Sequence, residues 1–254
     1  MRTAAGSAIV EPELWLSALR YGVAAVAAVT LAAAALSAWL DLGPDYLSRV
    51  TILAILGLLA LSPLVPRHAP LRKLGPGNAV TMIRGGLIAL LAGFITEPLT
   101  PLLCWLLVVV ATGTALLDIV DGRLARRAGM TSAFGARFDL ETDAVMIAVL
   151  AFLAWQLDKA GSWILLAGAL RYGFVVAGVL QPWLARPLPP SRRRQTLCVV
   201  QIVALITLLV PIILPPLSIA IAAISIALLC YSFGVDVRWL AHRRDHPSIE
   251  GGVT

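Results

Sequence analysis

Charge is scarce in this chain. Asp, Glu, Lys and Arg make up 13% of its 254 residues, about half of the roughly 25% common in soluble domains. Hydrophobic residues reach 59% and fall in long runs, which excludes an ordinary soluble globule and points to an integral membrane protein. Cysteine is scarce as well. Cys104, Cys198 and Cys230 each sit inside an apolar run, and their spacing fits neither a metal knuckle nor a disulfide framework. They read as packing residues. His68, His242 and His246 lie in polar flanks, so a histidine-based site is not expected. No soluble domain, low-complexity tract or internal repeat stands out. The formal charge is +6, yet there is no basic tail or aromatic-basic platform. Nucleic acid is therefore not an expected partner, and the surplus arginine reads as contact with lipid headgroups.

What is present is a succession of apolar segments. A spanning helix needs about 20 such residues. Eight candidates lie near 15–40, 49–65, 80–97, 101–118, 140–157, 161–184, 196–213 and 217–236. The first is too long for a signal peptide, and Glu11 and Glu13 stand where a basic segment would precede one. It is expected to be a retained helix. Turn residues separate the segments: Gly43-Pro44, Pro98, Asp158 to Gly161, and Pro215-Pro216. These connections carry few positive charges. The alternate connections carry many: Arg67, Arg72 and Lys73; Arg123, Arg126, Arg127 and Arg137; Arg186 and Arg192 to Arg194; Arg238, Arg243 and Arg244. Positive residues stay inside, so the arginine-rich loops and both termini are expected in the cytoplasm. The expected location is the inner (cell) membrane of a bacterium.

Residues 66–77 are too short and polar to span. They read either as an interfacial helix, with Leu71 and Leu74 dipping into lipid, or as a basic loop. This segment is the natural boundary between a two-span extension (1–66) and a six-span catalytic domain (67–238), followed by a tail (239–254).

The segment that carries chemistry is DIVDGRLARRAGMTSAFGARFDLETD, residues 118–143. Asp118 and Asp121 are three apart, and Asp139 and Asp143 four apart, so each pair shares a helix face. Adjacent antiparallel helices bring the four carboxylates toward one volume. Such charges at a membrane boundary are costly unless cations compensate them. Hard oxygen ligands suit magnesium, manganese or calcium, and two ions with shared carboxylates suit phosphoryl chemistry. Gly122 leaves room beside Asp121, Ala125 is small, Arg126 can donate two hydrogen bonds to phosphate, and Gly135 permits close approach of a helix or a nucleotide.

The same segment resembles the CDP-alcohol phosphotransferases (CDP-alcohol phosphatidyltransferases), whose signature is D-x2-D-G-x2-A-R-x8-G-x3-D-x3-D. Every fixed position matches: Asp118, Asp121, Gly122, Ala125, Arg126, Gly135, Asp139 and Asp143. Asn78, Thr81 and Arg84 resemble the N-x2-T-x2-R opening of the family's first core helix. The resemblance implies an all-α membrane fold, with a six-helix core preceded here by two additional transmembrane helices. It implies attack of an alcohol on the β-phosphorus of a CDP-linked lipid such as CDP-diacylglycerol, with release of CMP. By position, Asp118, Asp121, Asp139 and Asp143 would hold two Mg2+ or Mn2+ ions, with Asp143 also the general base. Asp118, Thr81, Gly122, Ala125, Arg126 and Gly135 would surround the cytidine nucleotide. A homodimer is also implied.

There are departures. Leu140-Glu141-Thr142 replaces the P-L-A or S-L-A of many relatives, and Tyr172 follows Arg171 where relatives often carry Glu. Glu141 reads as a solvated or arginine-paired side chain. Arg171 either binds a phosphate of the acceptor or lipid, or snorkels. Arg192 to Arg194 either bind an anionic acceptor or only mark the inner face. Glycerol 3-phosphate is one plausible acceptor, and other small or phosphorylated alcohols stay open. The alternative from another class is a cation-coupled transporter. Transporter sites lie near the bilayer midplane, whereas these aspartates lie at span ends.

Overall fold

The computed structural model describes residues 12–68, 71, 73–130 and 132–245. Glu11, Arg72 and His246 lie outside them, as do the side chains of Arg67, Ala125 and Arg244. Among the described residues eight α-helices follow one another: α1 Pro12–Leu40, α2 Pro44–Leu61, α3 Pro76–Gly93, α4 Pro101–Arg127, α5 Ala133–Gln156, α6 Leu166–Leu180, α7 Arg192–Leu209 and α8 Leu217–Asp245. Short 3₁₀ turns occupy Ser62–His68, Ser162–Leu165 and Pro182–Ala185, and no strand occurs among the described residues. The first four helices all begin at proline, whose fixed φ suits the first helical position and whose missing N–H is not needed there.

Among the described residues, five stretches are long and apolar enough to cross a membrane: Pro12–Leu40, Pro44–Pro66, Pro101–Leu124, Ser162–Leu180 and Leu217–Arg243. The remaining long helices, α3, α5 and α7, carry Arg84, then Asp139, Glu141 and Asp143, then Arg192 to Arg194. Charge thus dilutes the apolar signal where chemistry is expected. A helix satisfies its own backbone, which is the requirement lipid imposes. The chain is an all-α integral membrane protein.

Several helices outrun their apolar segments. The apolar run of α4 ends near Asp118, but the helix continues to Arg127. Arg, Leu and Ala are strong helix formers, so helix persists after hydropathy fails. Residues 66–77 give a correction. The described part of this segment contains no interfacial α-helix: a 3₁₀ turn ends at His68, and α3 begins at Pro76. Pro66, Pro70 and Pro76 punctuate the stretch. Leu74 does not dip into lipid either. It is 5% exposed and packs with Leu14, Val65, Phe134 and Phe138.

The chain divides into two compact units. The first comprises the chain up to Pro98 together with Val109–Asp143, and the second Leu99–Val108 with Ala144 onward. In the first unit α1, α2 and α3 pack together. A Cβ on Gly86 would stand 2.4 Å from Val29, and one on Gly93 2.4 Å from Val50. Glycine at both positions therefore sets how closely α1 and α2 approach α3. The Tyr46 hydroxyl donates to the Leu90 carbonyl at 3.2 Å, and Arg49 pairs with Glu97. In the second unit Arg193 binds Asp236 at 2.5 Å and the Ser232 carbonyl at 2.6 Å, tying α7 to α8. The Lys159 ammonium donates to the carbonyls of Val210, Pro211 and Ile213 at 3.2, 3.4 and 2.7 Å. These carbonyls lie in the turn just past the end of α7, and the lysine ties that turn down.

Candidate active site

Three helices of the first unit supply the site. On α3, Asn78, Thr81 and Arg84 are all buried. Arg84 is fully enclosed, with a side-chain exposure of 0%. A buried guanidinium needs acceptors, and all four aspartates provide them. Nη1 lies 2.8 Å from Asp118, 2.8 Å from Asp121 and 2.6 Å from Asp139. Nη2 lies 2.5 Å from Asp143. Nη1 carries two hydrogens. It donates them to Asp121 and Asp139, leaving Asp118 an ionic contact. Thr81 adds a hydrogen bond to the same Asp121 oxygen at 3.0 Å. Asp121 is thus the most tightly held carboxylate, and Asp118 and Asp139 are the more open ones, at 34% and 42% exposure.

The arrangement is uneven in a useful way. One oxygen each from Asp118, Asp121 and Asp139 lie within 4.8 Å of one another. Asp143 stands apart on the other arm of the guanidinium. Four carboxylates against one guanidinium leave a formal −3. Oxygens bound to one magnesium ion at about 2.1 Å lie up to about 4.2 Å apart. The carboxylate trio needs only small rotations to reach that range, and its charge calls for cations. The donor set, all hard oxygen, fits Mg2+ or Mn2+.

Glycines shape the surroundings. A Cβ on Gly135 would lie 3.0 Å from the Asn78 carboxamide oxygen, so this glycine admits close approach of α3 to α5. A Cβ on Gly122 would lie 3.3 Å from Nη1 of Arg126, whose exposed side chain folds back over the turn behind it. Ala125 follows on the same helix, its side chain outside the described residues. Glu141 pairs with Arg137 at 2.9 Å, the arginine-paired reading of this extra carboxylate. Arg171 on α6 and Arg192, exposed at the start of α7, belong to the second unit.

The sequence model of the CDP-alcohol phosphatidyltransferases matches residues 76–231. The match covers more than half of the chain, opens where α3 opens and contains every residue of the Arg84 cluster. The chain belongs to the CDP-alcohol phosphatidyltransferase family. No curated protein and no solved structure matches it. A CDP-alcohol phosphatidyltransferase moves a phosphatidyl group from a CDP-alcohol to an alcohol in a membrane, and the family uses divalent ions held by a carboxylate cluster. In this CDP-alcohol phosphatidyltransferase α1 and α2 lie outside the matched region.

Two residues, one in the site and one beside the start of α5, are not singled out by the sequence. Arg84 appeared there only as the end of a motif, but it is the hub of all four carboxylates. Its signal was present: a lone arginine inside an otherwise apolar helix must find counter-charges. His68 is the other. Its polar neighbours implied a solvated flank, but it is 0% exposed.

Proposed function

We propose that this protein transfers the phosphatidyl group of CDP-diacylglycerol to an alcohol and releases CMP. The observation that carries the reading is the Arg84-centred set of four aspartates inside the region matched by the family. Asp118, Asp121 and Asp139 would hold two Mg2+ or Mn2+ ions, with Asp143 completing the set. Bound there, the ions supply charge that neutralises the pyrophosphate and the leaving CMP. Arg84 holds the carboxylates in register, and Thr81 acts through Asp121 rather than on the nucleotide directly. Asp118, Gly122, Ala125, Arg126 and Gly135 form the nucleotide cradle, with Arg126 donating to phosphate.

Asp143 accepts the proton of the acceptor hydroxyl as that oxygen bonds to the β-phosphorus. The bond from this phosphorus to the CMP oxygen breaks, and CMP leaves with the electron pair. Exposed apolar side chains beside the aspartates, Ile83, Ile119, Val120 and Leu140, suit acyl chains that stay in the bilayer. The acceptor arrives from the aqueous side, and Arg171 and Arg192 bind its phosphate. Glycerol 3-phosphate is the first acceptor to try. The arginine-rich loops and both termini face the cytoplasm of a bacterial cell, and the active form is a homodimer.

The test is a panel of acceptors. Purified protein is incubated with CDP-diacylglycerol, Mg2+ or Mn2+, and glycerol 3-phosphate, inositol phosphate, serine or a lipid alcohol in turn. CMP release with one acceptor and a matching phosphodiester product is the expected result. No release with any acceptor sinks the proposal. Metal-dependent ion flux into vesicles without nucleotide would instead favour transport.

A further inference from the structure

His68 lies just before the family-matched region and is fully buried. Both of its ring nitrogens are engaged. Nε2 is 2.9 Å from the Lys73 carbonyl, and Nδ1 is 2.7 Å from Ser132 Oγ. A carbonyl only accepts, so Nε2 carries the hydrogen and Nδ1 accepts from the Ser132 hydroxyl. Ser132 Oγ in turn accepts the Gly135 N–H at 3.0 Å. Ser132 directly precedes the first residue of α5, so this is the N-cap bond of that helix. With this tautomer each hydrogen in the chain of contacts meets an acceptor.

The surroundings reinforce the link. The His68 ring meets Phe134 edge-on at 5.7 Å. Phe134 packs with Leu14 of α1, Val65, Leu74 and Phe138. The Leu74 N–H donates to Ser17 of α1 at 3.2 Å. A Cβ on Gly75 would stand 3.0 Å from Met130, so this turn presses against the segment just before α5. Asp139 is one helical turn past Gly135, and Asp143 one turn further. The start of the helix that bears half of the carboxylates is thus gripped by residues outside the matched region.

We propose that His68 is a positioning residue: acting through Ser132, it fixes the first turn of α5 so that Gly135 meets the nucleotide of the donor. The inference rests on the nucleotide role proposed above for Gly135.

Two substitutions separate this role from simple packing. His68→Asn keeps an acceptor where Nδ1 stood and loses the Lys73 contact. His68→Gln keeps a donor where Nε2 stood and loses the Ser132 contact. His68→Gln is expected to raise the KM for CDP-diacylglycerol about tenfold, the effect of one lost buried hydrogen bond, and Ser132→Ala, which also loses the Gly135 N–H bond, at least as much, with the acceptor KM unchanged in both. His68→Asn stays close to wild type. The double variant His68→Gln with Ser132→Ala is no worse than Ser132→Ala alone, because Ser132→Ala already removes the contact that His68→Gln breaks. Hydrogen exchange gives a readout without turnover: the amides of residues 133–139 exchange faster in His68→Gln and Ser132→Ala, and at the wild-type rate in His68→Asn. Equal behaviour of the Asn and Gln variants overturns the inference. So does a fall in kcat with no change in donor KM. If wild type releases no CMP, the proposed function fails, and the exchange comparison still decides whether His68 holds α5.

Discussion

Replacing Arg84 by lysine is expected to lower CMP release by about 100-fold or more, although the positive charge is kept. Arg84 reaches three carboxylates with Nη1 and the fourth with Nη2. Only a planar fork can do this. A lysine ammonium is a compact point charge on a flexible stem and cannot span both arms. Asp143 loses its anchor first, because it alone sits on the second arm. Arg84→Met removes the charge as well. Leaving partners of a buried pair uncompensated costs roughly 3–5 kcal/mol, so this variant is expected to melt at lower temperature as well as being inactive. Added Mg2+ should then raise its melting temperature more than that of wild type, because the cation supplies charge that the guanidinium supplied before. Retention of activity in Arg84→Lys, or an unchanged melting temperature in Arg84→Met, would refute the hub role. The readouts are CMP release and melting in detergent with and without Mg2+.

Asp143→Asn is expected to reduce kcat by about 10²–10⁴-fold, the range for loss of a positioned general base, with the donor KM nearly unchanged. Asparagine preserves shape and can still meet Arg84 through its carbonyl oxygen, but it cannot accept the proton. The geometry makes this expectation specific to Asp143, since Asp118, Asp121 and Asp139 group their oxygens within 4.8 Å and Asp143 does not share that cluster. Asp121→Asn is a useful contrast. It weakens a residue held by both Arg84 and Thr81 and should raise the metal concentration required for activity. Equal effects on kcat and metal requirement in the two variants would merge the two roles proposed for them.

The helices were legible because a bilayer demands long apolar segments, and each candidate span corresponds to one of α1 to α8. The aspartates were legible because a metal site needs fixed spacing on adjacent helices, and two pairs in 26 residues supply it. Other features depend on contacts that spacing does not encode. Leu74 and His68 look like parts of a solvated basic loop. They are buried because the turn after α2 folds beneath α5, where Phe134 and Phe138 complete the core. Thr81 looked like a nucleotide ligand by family position. Its hydroxyl lies 3.0 Å from Asp121, a contact between α3 and α4 that spacing does not encode. The reach of α4 and α8 beyond their apolar runs was hidden because polar helix is invisible to hydropathy.

The most direct test is CMP release from CDP-diacylglycerol by chelator-treated protein as Mg2+ or Mn2+ is restored, with the best acceptor from the panel. The account predicts no release without metal, saturable recovery on addition of either ion, and no recovery in Asp143→Asn. Release that proceeds unchanged in chelator, or full recovery in Asp143→Asn, would contradict it.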